Sequence, residues 1–298
     1  MKTILIVGGS GFIGSHLAVR LRDEYRVVTT YFRHPQRIEG VLSYPLSVSN
    51  VDWVKRLLGT VKPDTIIYAA GKHQLHWTEA PDNSKALDMC QVGGPTQLLA
   101  DSQGVGSRFV FLSSCLVFDG EDGNYRELDT LIPATALGRA KLAAENAIKS
   151  RALNYLILRS AQVIGRGPSQ SPTMIDQWLM RWSHGKPVEL DDFTVHSYID
   201  SKSYADWVSR CLAAPPTVLK NRTLHFGGLS KVTEYDLACR LAKRLKISAG
   251  LVQRKTPGPG AERLDYSLNF TSSVKNLEIQ PLLLEQSLDL VEKDLLTP

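Results

Sequence analysis

Met1-Lys2-Thr3-Ile4-Leu5-Ile6-Val7-Gly8-Gly9-Ser10-Gly11-Phe12-Ile13-Gly14 opens the chain, and its reading decides the fold. Lys2 to Val7 is a short apolar run suited to a strand buried on both faces. Ser15 to Arg22 continues as a helix with Leu17, Ala18 and Leu21 on its apolar side. Between them Gly8, Gly11 and Gly14 are spaced three apart. Glycines here permit a sharp turn, close approach of a pyrophosphate to the main chain, and tight packing of helix on strand. The backbone of Ser10, Phe12 and Ile13 then offers the unpaired N–H groups of a helix amino terminus to the phosphates. Strand, glycine turn and helix in immediate succession predict dinucleotide binding.

Working outward, Arg26-Val27-Val28-Thr29-Thr30-Tyr31 reads as the second strand. An acidic residue at its exit would hold the ribose hydroxyl of NAD, and an arginine there accommodates the additional phosphate of NADP. The exit is Tyr31-Phe32-Arg33-His34-Pro35-Gln36-Arg37, without an acid. This points to NADP over NAD, with Arg33 as the main contact and Arg37 as a second.

Alternation continues downstream. Ser49-Asn50 caps a helix running to about Thr60, and Asp64 to Gly71 is a strand ending in the small residues Ala69-Ala70-Gly71, which leave room for a cofactor. A helix over 83–102, a strand at Arg108 to Ser114, a helix over 135–150 and a strand at Tyr155 to Arg159 follow. Strands alternating with helices imply an α/β fold, a doubly wound parallel Rossmann sheet with a smaller C-terminal substrate-binding part. We place the NAD(P)-binding domain at 1–165 and a mainly substrate-binding, capping region at 166–298, some segments of which return to the first domain. In the second region we expect helices near Met174 to Ser183, Ser203 to Ala213 and Glu234 to Leu245, a strand at Thr223 to Phe226, a loop at Pro257-Gly258-Pro259-Gly260 and a closing helix around Leu283 to Leu295.

Composition restricts the alternatives. With 298 residues and 43% hydrophobic content the chain buries a large core. Lys and Arg total 35 against 30 acids, and the scattered net charge of +5 suits anionic small ligands and argues against nucleic acid. Cys90, Cys115, Cys211 and Cys239 form no metal-spaced pair and suit a reducing compartment. His73 and His76 stand three apart without further ligands, so no metal site is expected. No run has the ~20 apolar residues needed to cross a membrane. We expect a cytoplasmic protein.

The motifs then acquire a family likeness. The Gly8–Gly14 loop, Ala69-Ala70-Gly71, Leu112-Ser113-Ser114 with Val117-Phe118-Asp119-Gly120, Tyr125-Arg126-Glu127, the 138–145 run around Lys141, Leu158-Arg159, Tyr198-Ile199-Asp200 and Thr233-Glu234-Tyr235 occur in order over nearly the whole chain. The sequence resembles the extended short-chain dehydrogenases/reductases, specifically the dTDP-4-dehydrorhamnose reductases and the regulatory β subunits of methionine adenosyltransferase. The resemblance implies hydride transfer to a sugar ketone, with a tyrosine supplying the proton and a lysine four residues on, one helical turn away, lowering the phenol pKa. It assigns Ser114 to a substrate oxygen and Lys141 to the nicotinamide ribose. The tyrosine position, however, holds Leu137.

Leucine carries no proton to give, and no tyrosine occurs between Tyr125 and Tyr155. Cys115-Leu116 stand where these reductases have Asp-Tyr, Gln91 where they have asparagine, and Pro45 where they have aspartate. Two functions follow. One is oxidoreductase chemistry on a nucleotide sugar or related small carbonyl substrate, with Cys115, His73, Tyr125 or His196 as replacement acid. The other is an inactive NADP-binding regulatory or interaction protein, whose pocket Leu116 and Leu137 would fill. The helices beginning at Asn83 and Thr135 would form the contact of a homodimer.

Overall fold

Five apolar or β-branched residues, all buried, make Thr3–Val7 (β1) an interior strand of the computed structural model, which describes residues 1–258 and 262–296. Around it lie Arg26–Tyr31 (β2), Leu42–Pro45 (β3), Thr65–Tyr68 (β4), Arg108–Ser114 (β5) and Tyr155–Ser160 (β6). With the strand Arg222–Phe226 these form a seven-stranded sheet in the order Arg222–Phe226, β6, β5, β4, β1, β2, β3. Every pairing is parallel. The chain leaves β1 toward β2 and β3, then crosses to β4 on β1's other side. The reversal opens a crevice at the carboxyl ends of β1 and β4, where α/β sheets bind ligands.

Helices cover both faces, as a parallel sheet requires. Phe12–Leu21 (α1) and Ser201–Ala213 pack with Ile4, Ile6, Leu158 and Phe226 on one side. On the other, Val51–Val61 (α2), Gly94–Ser102 and Ala136–Arg151 pack with Leu5, Val7, Phe109 and Ile157. The amino terminus of α2 is capped as expected, the Asn50 side chain accepting from Trp53 N at 3.1 Å. A separate core of Trp178, Trp182, Leu237, Leu241 and Leu288 unites Met174–Ser183, Glu234–Arg244 and Leu284–Leu296 in the carboxy-terminal cap.

Some elements differ from the sequence reading. β3 was not expected: it is an edge strand without a buried residue, so hydrophobic pattern cannot reveal it. The helix over 83–102 is broken into the turn Pro81–Asn83, the short helix Ser84–Asp88, the wider π turn Met89–Gly93 and the helix Gly94–Ser102. Pro95 has no N–H for the helical ladder, and the Tyr68 hydroxyl donates to the displaced Cys90 carbonyl at 2.6 Å. Of the segments after residue 165, the strand Arg222–Phe226 and the helix Ser201–Ala213 join the main sheet and its helical layer. Pro259 and Gly260 of the expected loop lie outside the described residues.

Candidate functional site

Gly8 follows β1 with φ +88° and its N–H donates to the Thr30 hydroxyl at 3.1 Å, tying the turn to β2. Its carbonyl accepts from Gly11 N at 3.0 Å. A Cβ on Gly8 would stand 2.7 Å from the Ala70 backbone, and one on Gly14 2.2 Å from the Gly8 carbonyl oxygen. These glycines allow β1, β4 and α1 to converge. No side chain caps α1 at Gly11, so among the described residues its first N–H groups have no side-chain partner. Gly8, Ser10, Gly11, Phe12, Ile13, Ala69, Ala70 and Gly71 are all half-buried, as lining residues of a cleft should be.

Arg33 lies beyond β2 on the same end of the sheet, exposed, with its guanidinium 5.4 Å from the Phe32 ring centre. It makes no ion pair among the described residues. Arg37 is also exposed. The cleft therefore has a cationic rim on the β2 side.

On the other side β5 ends at Ser114, whose hydroxyl accepts from Leu116 N at 3.2 Å. The helix Ala136–Arg151 lies behind it and carries Leu137 and Lys141 one turn apart. Lys141 is buried, donates to the Leu112 carbonyl at 2.8 Å and stands 4.8 Å from the centre of the Phe111 ring. Burial pushes its ammonium down to about 8, against upward pulls from Cys90 and Glu145. Leu137, 1% exposed, packs with Leu87 and Ala140 and against Trp77, Val92, Leu116 and Ala136. Where the resemblance implied a phenol facing substrate, the helix presents a closed apolar cluster.

The four expected replacement acids sit in different surroundings. Burial pushes the Cys115 thiol up to about 12, against the hydrogen bond from Ser114. The Tyr125 hydroxyl donates to Asp119 and accepts from Gly120 N and Asp122 N at 3.0 and 3.1 Å, leaving it engaged within its own turn. His196 sits between Tyr198 and Tyr266, and burial lowers its imidazole to about 4, partly opposed by Asp191 and Asp265. His73 and His76 belong to a segment with exposed residues, but burial of the His73 ring and the nearby Lys141 ammonium lower its imidazole to about 3; no cluster of three metal-ligating side chains occurs among the described residues.

Three supporting features escaped the sequence reading. Trp77, from the segment after Gly71, covers Leu137 and carries the Lys72 ammonium 4.6 Å from its ring centre. Glu79 from the same segment accepts from Ala136 N at 2.8 Å, adding an anion to the amino terminus of the Lys141 helix already capped by Thr135. Deeper, Arg159 pairs with Glu145 through two bonds of 2.9 and 2.7 Å, and Ser113 donates to the same carboxylate at 2.7 Å. Burial favours the neutral acid, but Arg159 and Ser113 hold Glu145 below its ordinary range. The network fixes β5, β6 and the Lys141 helix together.

The sequence profile of the RmlD substrate binding domain matches residues 1–281. The chain belongs to that family. The RmlD-type chain is 25% identical over 275 residues to methionine adenosyltransferase 2 subunit beta of Rattus norvegicus, covering 88% of this chain and 78% of the relative. Its fold matches dTDP-4-dehydrorhamnose reductase from Bacillus anthracis, solved in complex with NADP, with a TM-score of 0.82 at 17% identity over 99% of this chain and 100% of that one. It equally matches the Bordetella bronchiseptica enzyme WbmH, solved with NAD+, with a TM-score of 0.83 at 18% identity over 99% and 98% of the two chains. The extended short-chain dehydrogenase/reductase architecture read from the motifs is thus the architecture of this RmlD-type protein. No helix among the described residues is long and apolar enough to cross a membrane.

Proposed function

We propose that this RmlD-type chain binds NADP(H) in the crevice at Gly8–Gly14 and has given up the tyrosine-dependent reductase step, so that it serves as a cofactor-holding regulatory or interaction protein. The dinucleotide fits the residues present. Gly8 and Gly14 let β1, β4 and α1 converge where a Cβ would strike the chain's own backbone, and the uncapped α1 amino terminus would offer donors to a pyrophosphate. Arg33 would meet the 2′-phosphate, while Ala69, Ala70 and Gly71 would leave the β4 side open to the nicotinamide half. The bound nucleotide would supply a hydride. Lys141 would hold the nicotinamide ribose, and Ser114 a ligand oxygen.

The observation that carries the reading is Leu137 closed into one apolar cluster with Leu116 and Trp77. A general acid needs to stand ~3 Å from the atom it protonates, and that wall offers none. A second reading keeps oxidoreductase turnover on a nucleotide sugar, with Lys141 as the proton source. It is favoured by the Lys141 ammonium lying near 8, within reach of physiological pH.

Mixing NADPH-loaded protein with dTDP-4-dehydrorhamnose and following absorbance at 340 nm separates the two. The first reading expects no oxidation above the buffer rate. Sustained oxidation that falls as pH rises through 8 and vanishes in Lys141→Met would establish the second.

A further inference from the structure

The crevice lies at the carboxyl ends of the strands, and their amino ends form a second face on the opposite side of the sheet. Cations scattered along the sequence are gathered there, because every strand of the main sheet runs the same way. Lys2 precedes β1, Arg26 begins β2, and Lys220 and Arg222 stand at the start of the strand Arg222–Phe226. Lys62 and Arg151 join them from the ends of the helices that lead into β4 and β6. All six are exposed, and none makes an ion pair among the described residues. Lys62 and Arg151 also complement the dipoles of their helices. Lys2, Arg26 and Arg222 have no helix end to serve.

The nearby acids do not balance this charge. Asp23 and Glu24 pair with Arg22 and Arg20, and Asp64 accepts from Thr3 N at 2.7 Å. Glu39 stands at the β3 edge, where its carbonyl accepts from Arg22 at 3.2 Å. Beneath the surface Arg108, 7% exposed, donates to the Cys211 and Leu219 carbonyls at 3.2 and 3.3 Å, while its Nε is left unpaired. A buried charge without a counter-ion adds to the positive potential of the whole end. The loops that carry the cations are also stitched together. The Gln103 side chain donates to the Arg151 carbonyl at 2.8 Å, the Ser107 hydroxyl to the Pro63 carbonyl at 2.5 Å, and Asn221 N to the Tyr155 carbonyl at 2.9 Å. Among them Val105, Leu153 and Val218 are 40, 75 and 44% exposed.

A cationic surface interspersed with aliphatic side chains complements a ligand that carries both carboxylates and apolar groups. None of the exposed large hydrophobics at this end is aromatic, so it lacks the rings on which nucleic-acid bases stack or that anchor a protein at a bilayer surface. From β2 to Arg222–Phe226 the sheet takes five steps of about 4.8 Å, or about 24 Å, which an extended segment of about seven residues spans.

We propose that the amino-terminal end of the sheet is a docking surface for an extended acidic segment of a partner protein, its carboxylates meeting the cations at the strand starts and its apolar side chains resting on Val105, Leu153 and Val218. The surface is separate from the crevice, and the proposal stands whether or not the crevice holds a nucleotide.

The test is fluorescence anisotropy of a labelled peptide of about eight residues, alternating glutamate and leucine, long enough to span the face. It is titrated with wild type, with Arg151→Glu/Arg222→Glu, and with Lys186→Glu/Lys243→Glu, an equal charge change at exposed positions of the cap. The expected result is binding to wild type that weakens about tenfold or more in Arg151→Glu/Arg222→Glu, falls as salt is raised, and is unchanged in the cap variant. Lys2→Glu/Lys220→Glu carries the same expectation if the first variant melts early. Absence of binding to wild type, equal weakening in the cap variant, or equal binding of a glutamine–leucine peptide would overturn the proposal. Tighter capture of a short single-stranded RNA or of vesicles containing phosphatidylserine would also overturn it, by assigning the face to another class of partner.

Discussion

Replacing Leu137 by tyrosine supplies the side chain that the resemblance to the reductases places at this position, and the structure predicts that the change harms the protein before it helps any catalysis. Leu137 is 1% exposed and lies in a cluster with Leu87 and Ala140, against which Trp77, Val92 and Leu116 pack. Forcing a larger ring into such a cluster costs about 1–3 kcal/mol in strain. Its hydroxyl, buried among apolar neighbours, adds about 1–3 kcal/mol for an unmade hydrogen bond. Together these give a loss of about 2–6 kcal/mol, or roughly 4–24 °C in melting temperature at about 2–4 °C per kcal/mol. Thermal unfolding followed by circular dichroism, with Leu137→Met as a volume-conserving control expected to cost under about 1.5 kcal/mol, measures the difference. Parallel assays of NADPH oxidation with dTDP-4-dehydrorhamnose should stay at the buffer rate. A Leu137→Tyr protein as stable as wild type that also turns over the keto-sugar would refute the reasoning, because it would mean that the cluster opens readily and that only the phenol was missing.

Other perturbations probe the remaining parts of the site. Arg33→Asp should weaken NADPH binding by roughly 10–100-fold, as expected for a lost charge-assisted contact, while leaving NADH nearly unchanged; equal losses would reject Arg33 as the phosphate contact. Gly14→Ala places a methyl group 2.2 Å from the Gly8 carbonyl oxygen, so NADPH affinity and stability should fall together, and an unperturbed variant would contradict the packing of α1 on β1. Because burial holds Lys141 at about 8 instead of 10.5, the unfolded chain keeps a proton between those pH values that the folded chain has released. The stability of wild type relative to Lys141→Met should therefore rise from pH 8 to pH 10 in urea titrations, and a flat difference would place the ammonium in a solvated setting.

How much of this was legible in the residues follows from where the physics is local. Thr3–Val7, Arg26–Tyr31 and Arg108–Ser114 are buried strands, so continuous apolar or β-branched character marks them at close to their observed bounds. The glycine turn was readable because Gly8 and Gly14 serve geometry that a side chain would block. β3 was hidden because an exposed edge strand needs no apolar face. The broken helix at Met89–Gly93 depends on a bond from Tyr68, over twenty positions away, which no local pattern encodes. The substitution at Leu137 was visible as a missing acid, but its meaning required knowing that Trp77 and Leu116 close over it. The Glu145–Arg159 pair likewise joins a helix to a strand, and spacing alone does not announce that contact.

The central claim is that an intact NADP(H) cradle persists beside a proton relay that has been lost. Direct titration of the purified protein with NADPH and NADH, read by nicotinamide fluorescence, tests it most simply. Tight binding with NADPH preferred is the predicted result; no binding of either nucleotide would contradict the account.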